Sequence, residues 1–391
     1  MDSPLPAHPL LVLNAGSSSL KFSLFDVAAS GAVHLRIHGA VEDIGAAPRL
    51  SLADGDAAAI EAADHRAAFD AVVGWLEGQR HGVRPVVVGH RVVHGGLQYD
   101  RPVRVDEAVL ANLQALVPLA PLHQPQALAV LRAVQRHWPD VPQVACFDTA
   151  FHRGRPEVAQ MFALPWDLYE SGVRRYGFHG LSYEYIADTL PVAAPEIAEE
   201  RVVVAHLGNG ASLCAMHARR SVETTMSFSA LDGLPMGTRV GDLDPAVVLY
   251  LITARAMTVG EIETLLYRRS GLLGLSGVSS DVRELLASDH PRARFALEYF
   301  AYRIACETGA LASALGGLDG LVFTAGIGEH AAPVRAAVCE RLAWLGVDLD
   351  RAANTRHAAR ISTPKSRVSV HVIPTDEEII IARHTSRLAL A

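Results

Sequence analysis

Two polar turns, each held between apolar strand-forming runs and about half the chain apart, constrain this sequence more than any other feature. Residues 14–21 (NAGSSSLK) lie between the apolar runs 10–13 and 22–25, so they read as the turn of a β-hairpin. Their backbone N–H groups and the hydroxyls of Ser17 and Ser19 suit phosphate oxygens, and Lys21 adds positive charge. Residues 206–212 repeat the device: His206, Leu207, Gly208, Asn209 and Gly210 follow the run 201–205 and lead into 213–216. A third Gly-rich turn, 324–329 (TAGIGE), is expected after a strand at 320–323 and before a helix from near Pro333. Glycine allows backbone to approach a ligand without a Cβ in the way. One such turn is no more than a polar loop. Three, two of them hairpins, point to a duplicated phosphate-clasping domain around a nucleotide.

At 391 residues the chain has room for two domains, each with its own core. Its net charge of −7 opposes nucleic acid and anionic membrane, so an anionic substrate needs local Arg, His and Lys clusters. No apolar run has the length of a membrane span. The first nine residues lack the basic start and apolar stretch of a signal peptide and read as a disordered lead-in. Cys146, Cys214, Cys306 and Cys339 are scattered without a CxxC pair, which argues against zinc and disulfides and for buried free thiols. A cytoplasmic setting is expected.

Between these landmarks strands and helices alternate. Val33, Leu35 and Ile37 alternate with polar residues as in a half-buried strand, and 85–89 reads as a short buried one. Helices are expected over 67–76, from an Asp106 cap to 116, and over 125–137, ahead of a strand at 143–147. The acidic, Ala-rich segment 54–64 reads as a solvated loop, and 150–177 as irregular. In the second half, strands near 201–206, 211–217 and 221–226 precede helices near 245–255, 260–268, 281–287 and 291–315. A strand at 320–324, another at 368–373 and a helix from Asp376 complete the pattern.

Seven motifs in order now carry a resemblance: NAGSSSLK at 14–21, HRVVHGG at 90–96, FDTAFH at 147–152, YGFHG at 176–180, HLGNG at 206–210, MGTR at 236–239 and GIGE at 326–329. Together, over about residues 11–387, the chain resembles the acetate kinases of the acetokinase family. The resemblance implies an α/β chain of two domains with duplicated ribonuclease H-like folds of the actin and Hsp70 type, the nucleotide lying in the interdomain cleft. The expected domains are 1–149 plus 376–391, and 150–375 as the nucleotide-binding one. It further implies ATP/ADP as co-substrate, Mg2+ (or Mn2+), acetate as acceptor, a homodimer, and no nucleic-acid or membrane partner.

The same resemblance assigns roles. Arg91 would hold the acetate carboxylate and Arg239 the transferring phosphoryl, each guanidinium offering two parallel hydrogen bonds. His179 would donate to the phosphoryl in the transition state, with His123 nearby. Asp148 would organise the metal shell and the arginines. It is not needed as a base, because a carboxylate acceptor is already ionised at neutral pH. Asn14 and Glu377 match the metal positions. Val93, Leu122 and Phe178 match the acyl pocket. Ser17, Ser19, Lys21, 206–210, Asp281, Val282, Arg283, Gly326, Ile327, Gly328, Glu329 and His330 match the nucleotide contacts. Taken without the family, Arg91 and Arg239 suit surface ion pairs, His179 a hydrogen-bonded core, Asp148 a turn cap and Glu377 a first-turn helix acid. Two departures stand out. His330 replaces the usual Asn, and Ala230 replaces a Pro associated with the acyl pocket. The smaller residue removes volume from that pocket, so room for one more methylene, worth roughly 1 kcal/mol, and propionate as a further acceptor are the expectation.

Three rivals remain at this level. A sugar kinase would use Asp148 as base for a hydroxyl. A nucleotide-switch protein would need the hairpin clasps without Arg91 and His179. A metallohydrolase on His90 and His94 would need a helix where the Val-rich run reads as extended.

Overall fold

The apolar runs 10–13 and 22–25 form the central hairpin of the first of two compact units, Met1–Phe151 with Asp376–Ala391. The computed structural model describes residues 8–52, 55, 57–78 and 82–390. Residues 1–7 of the expected nine-residue lead-in, and residues 54 and 56 of the expected acidic loop, lie outside the described residues, while His8 and Pro9 are not a lead-in but the start of the first strand.

β1 (His8–Ala15) and β2 (Leu20–Val27) pair antiparallel without a break, from His8 opposite Val27 to Ala15 opposite Leu20. β3 (Val33–Glu42), β4 (Arg49–Leu52) and β5 (Ala58–Ala59) extend the meander on one side. On the other side β6 (Val87–Val92) runs parallel to β1 and β8 (Gln143–Phe147) parallel to β6, with β7 (Val103–Arg104) at the edge. Asp64 and Asp106 cap α1 (His65–Glu77) and α2 (Glu107–Ala115) by accepting from the N–H groups of Ala67 and Val109. α1 and α3 (Gln124–His137) bring Phe69, Val72, Val130 and Val134 against Phe22 and Leu24 of the sheet. A second cluster joins Leu110, Leu113 and Leu131 to Phe147. Burial of such side chains stabilises the unit by about 1.5–3 kcal/mol each.

The second unit, His152–Thr375, is built on β9 (Arg201–Leu207), β10 (Ala211–His217) and β11 (Arg220–Thr224), again an antiparallel meander. β12 (Gly320–Thr324) runs parallel to β9, and β13 (Ser369–Val372) parallel to β12. The order β11-β10-β9-β12-β13 repeats the order β3-β2-β1-β6-β8 of the first sheet. The duplication expected from the two hairpins is thus present in the strand order. Helices α4 (Trp166–Glu170) and α5 (Gly180–Ala193) precede β9, and α6 (Pro245–Thr253), α7 (Val259–Arg268), α8 (Gly271–Ser276) and α9 (Val282–Ala287) come after β11. α10 (Pro291–Leu315) lays Ala293, Ala296, Phe300 and Ile304 against the meander. α11 (Ala325–His330) packs on β9 and β12, α12 (Ala332–Arg341) on α10 and α11, and α13 (Arg351–Thr355) on α12. The last helix, α14 (Glu377–Ala389), belongs to the first unit and packs on β6, β8 and β1. Gly89 makes this possible, because a Cβ there would lie 2.3 Å from Thr385 Oγ1.

Several expectations are corrected. Residues 324–329 are not an open turn: Thr324 ends β12 and 325–330 wind into α11. Leu35 is 56% exposed, because a bulge sets Leu24 opposite Ile37 but Phe25 opposite Leu35, sending those two residues to opposite faces. Within 54–64, Ala58–Ala59 pairs with β4 as a short strand. The strand expected at 85–89 is β6, shifted toward Val92. Cys306 is exposed, whereas Cys146, Cys214 and Cys339 are the buried free thiols expected. The helix α5 was not foreseen, since its Gly, Ser, Tyr and Pro content masks the apolar spacing.

Candidate active site

In the first unit, three strand ends bring their side chains together. Asn14 lies near the end of β1, opposite Arg91 in the parallel register with β6, and Asp148 follows β8 directly. Parallel strands end side by side, which is where open sheets gather functional groups. Arg91 Nε donates to Asp148 Oδ1 and Oδ2 at 3.0 and 3.1 Å, Nη2 donates to Oδ2 at 2.6 Å, and Nη1 donates to Asn14 Oδ1 at 3.2 Å. The Asp148 side chain is 2% exposed and that of Arg91 18%. Burial works against the guanidinium charge, but the nearby carboxylates of Asp148 and Glu377 outweigh it and hold the arginine protonated above its ordinary range. Of five N–H donors on a guanidinium, one on each terminal nitrogen is not used by Asp148 or Asn14.

The hairpin turn beside this group is pinned from three sides. Gly16 N donates to Ser19 O at 2.8 Å, Ile44 N donates to Ser18 O, and Gly16 O accepts from His65 Nε2 at 2.8 Å. Ser17 and Lys21 are exposed and Ser19 half-buried. Glu377 opens α14, with Asp376 capping Ile379 N. Its neighbour Glu378 is anchored by Ser23 Oγ and, at 3.0 Å, by His38 Nδ1. Burial would raise the Glu378 carboxyl, but the bonds from His38 and Ser23 lower it overall. Val93 is buried and Leu122 half-buried, while His123 precedes α3 without capping it through its side chain. Gln124, fully buried, bonds both the N–H and the C=O of His94 and so fixes the strand exit that carries Arg91 and Val93. Sequence reading passed over Gln124 and Glu378; the Gln-Pro helix start and the doubled Glu were the available signals.

In the second unit the expected motifs converge on the β9–β10 turn. A Cβ added to Gly210 would lie 3.2 Å from His179 Nε2 and 3.7 Å from Arg239 Nη1. One on Gly208 would lie 3.7 Å from the Cβ of Ala325, where α11 begins, and one on Gly237 would lie 2.5 Å from Asn209 Oδ1 and 3.3 Å from Ser280 O. Gly237, Arg239, Ser280 and Ala325 therefore gather around the 206–210 turn. His179 occupies the left-handed region at φ +57° just before α5, and its ring stacks on His206 with centroids 4.3 Å apart. His179 Nδ1 lies 2.8 Å from Ser212 Oγ, and His206 Nδ1 lies 2.8 Å from Ser182 Oγ. Arg239 Nη1 donates to Ala230 O at 2.9 Å. The loop before Arg239 is held by the start of α8: Leu272 N and Leu273 N donate to Met236 O and Gly237 O, each at 2.9 Å. Phe178 is buried, and its carbonyl accepts from His152 Nε2 at 2.9 Å.

Two of the predicted contacts, Asp281 and His330, have partners of their own. Asp281 spends its carboxylate on Arg283 N, as the cap of α9, and on the Arg283 guanidinium, which is 90% exposed. His330 is 78% exposed at the end of α11, beside His357. Sequence reading missed what anchors α11. Arg335, fully buried, donates from Nη1 to the Gly328 and Glu329 carbonyls at 2.8 Å each and from Nε to Asn354 Oδ1. Burial lowers its pKa from the arginine value. Among the described residues no group of three or more His, Cys, Asp or Glu is arranged to hold a metal ion. No helix among them is long and apolar enough to cross a membrane.

Comparison with known proteins gives one consistent picture. The profile of the Acetokinase family matches residues 9–383. An acetate kinase of Nitrobacter hamburgensis is 54% identical over 389 residues, covering 97% of this chain and 96% of the relative. One from Rhodopseudomonas palustris is 56% identical over 390 residues, covering 97% and 98%. Among solved structures, an acetate kinase of Porphyromonas gingivalis aligns with TM-score 0.87 at 36% identity, over 97% of this chain and 99% of its own. A propionate kinase of Francisella tularensis aligns with TM-score 0.90 at 35% identity, over 97% and 100%.

Proposed function

Because this chain belongs to the acetokinase family, kinases that phosphorylate a carboxylate, we propose that it interconverts ATP plus acetate with ADP plus acetyl phosphate. The observation that carries the reading is the Arg91–Asp148 lock. Both Asp148 oxygens accept from Arg91, so this carboxylate serves as a counter-ion that orients an arginine. A hydroxyl acceptor would need it as a base; a carboxylate acceptor needs none.

The chemistry follows from charge. An acetate oxygen attacks the γ-phosphorus in line, the new O–P bond forming as the bond to the β-phosphate oxygen breaks, and ADP leaves without any proton transfer. Anion must approach polyanion, so the protein's task is positioning and charge compensation. Arg91, through its remaining terminal N–H groups, holds the acetate carboxylate. Arg239 and His179 donate to the equatorial phosphoryl oxygens. The nucleotide contacts in this proposal are 206–210, Asp281 to Arg283 and 326–330, together with Ser17, Ser19 and Lys21. Asn14 and Glu377 offer only oxygen donors, which suits Mg2+, an ion that keeps several waters and takes one or two protein ligands with the substrate phosphates. When bound, Mg2+ neutralises phosphate charge.

Val93, Leu122, Phe178 and Ala230 line the acyl site in this proposal, and Ala230 in place of Pro leaves room for propionate. Residues 1–149 with 376–391 act as the acceptor half and 150–375 as the nucleotide half. The working form is a homodimer, supported by α6, in which no residue is buried and Leu249, Tyr250 and Ile252 are 63%, 54% and 41% exposed. Free cysteines support a reducing, cytoplasmic setting.

The test is ADP formation from Mg2+-ATP with acetate, propionate, butyrate, glucose or no acceptor, alongside Arg91→Ala. Turnover with acetate that the variant abolishes supports the reading, and the rates rank the acyl pocket. Slow turnover indifferent to acceptor would refute it in favour of a nucleotide switch.

A further inference from the structure

We propose that Tyr183 and Ser212 lock the His179 imidazole in one tautomer, with its proton on Nε2, so that it meets the phosphoryl group as a hydrogen-bond donor. The inference rests on the reading of His179 as a phosphoryl donor and adds what makes it one.

A neutral imidazole donates from one nitrogen and accepts at the other, and the partner of the first nitrogen decides which. His179 Nδ1 lies 2.8 Å from Ser212 Oγ, and the same Oγ lies 2.5 Å from the hydroxyl of Tyr183. A serine hydroxyl has a single proton. Of the two hydroxyls the phenol is the better donor and the poorer acceptor, because its lone pairs are drawn into the ring. Tyr183 therefore donates to Ser212, and Ser212 gives its proton to Nδ1. Nδ1 accepts, and the ring proton sits on Nε2. That nitrogen lies on the side of Gly210 and the Arg239 guanidinium, where a Cβ on Gly210 would reach both.

His152 repeats the arrangement with its direction fixed. Its Nδ1 lies 2.8 Å from Ser221 Oγ, and its Nε2 faces a carbonyl that can only accept. Nε2 must carry the proton there, and serine donates to Nδ1. The His179 relay is buried: Tyr183 and Ser212 are both 0% exposed. Both anchors come from rigid elements, Tyr183 from the first turn of α5 and Ser212 from β10. The side chain that orients His206, Ser182, stands next to Tyr183 on the same turn and also bonds Thr375 Oγ1 at 2.8 Å. A single helix start thus orients both stacked rings. Tyr183 and Ser212 are positioning residues, acting through His179.

The experiment uses the full chain labelled with 15N-histidine, and long-range 1H–15N correlation at neutral pH. His179→Gln identifies the His179 signals by their loss. The expected result is an unprotonated Nδ1 and a protonated Nε2; a protonated Nδ1, or averaged nitrogens, overturns the proposal. Tyr183→Phe keeps the ring and Ser212→Ala removes the relay. Both are expected to bring the two nitrogens toward averaging and to lower kcat by about 10-fold or more, with KM for ATP and acetate little changed. Ser212→Thr should restore the tautomer and kcat. If Ser212→Ala does not fold, Tyr183→Phe carries the test, and an unchanged tautomer and kcat in it sinks the relay. An Nε2–H tautomer in a protein that phosphorylates no carboxylate would leave the lock standing and refute the proposed function.

Discussion

Arg91 and Asp148 show how one pair sets the properties of a site. A guanidinium beside a carboxylate that is 2% exposed is stable only as a pair, since removing either partner strands a buried charge. Arg91→Ala should therefore cost about 3–5 kcal/mol of stability, read by urea denaturation, together with loss of carboxylate-dependent turnover. Arg91→Lys retains charge but not the fork, so it should unfold at higher urea than Arg91→Ala while remaining nearly inactive. Histidines set the pH response. Burial pushes His90 in the first unit and His152 in the second down to about 3, from an ordinary value of 6.5. Between those values the unfolded chain binds protons that the folded chain refuses, so stability is full above pH 6.5 and falls as pH drops toward 3. The slope is about 1.4 kcal/mol per pH unit for each histidine. Urea midpoints at pH 7.5, 6 and 5 should decline in that order, and a flat series would show that both sites open or are wetted.

Among the elements, α8 matters more than its six residues suggest. Its first N–H groups hold the loop 236–239, and its first residue, Gly271, sits at φ +60° with room for no side chain. A Cβ there would lie 2.1 Å from Met236 O and 2.6 Å from Arg239 O. Gly271→Ala should push that loop away. The expected outcome is a fall in kcat of about 100-fold or more with KM for ATP changed far less, measured by steady-state kinetics. If kcat survives, the loop has slack that the backbone geometry denies. α11 illustrates the converse case. Its Gly-rich sequence reads as a turn, and it winds as a helix with Arg335 binding its last carbonyls from a residue in α12. No local signal reveals that partner.

At the scale of the molecule, two sheets of matching strand order gather two different sets of groups: Asn14, Arg91 and Asp148 at the strand ends of one, His179, His206 and Arg239 around the β9–β10 turn of the other. The exposed face of α6 belongs to neither. Replacing Leu249 and Ile252 together by Glu should convert the proposed dimer to a monomer with its fold intact, seen as a halved mass in sedimentation equilibrium with an unchanged circular dichroism spectrum. A wild-type chain that already sediments at 41.8 kDa would end the dimer proposal.

The sequence by itself determined the duplicated hairpins, most strands, the capped helices α1, α2 and α10, and the motif residues. Each of these depends on neighbours a few positions away: alternation, a cap three residues before an N–H, a Gly where the backbone turns. The tertiary structure alone decided which side chains share a hydrogen bond. Arg91 meets Asp148 across 57 positions, Ser212 meets His179 across 33, and Glu378 meets Ser23 across 355. It also decided that Leu35 faces water and that 325–330 is helical, because a bulge opposite β2 and a guanidinium from α12 act from outside the local pattern. Local energies select the element, and distant partners select the orientation of the group that does the chemistry.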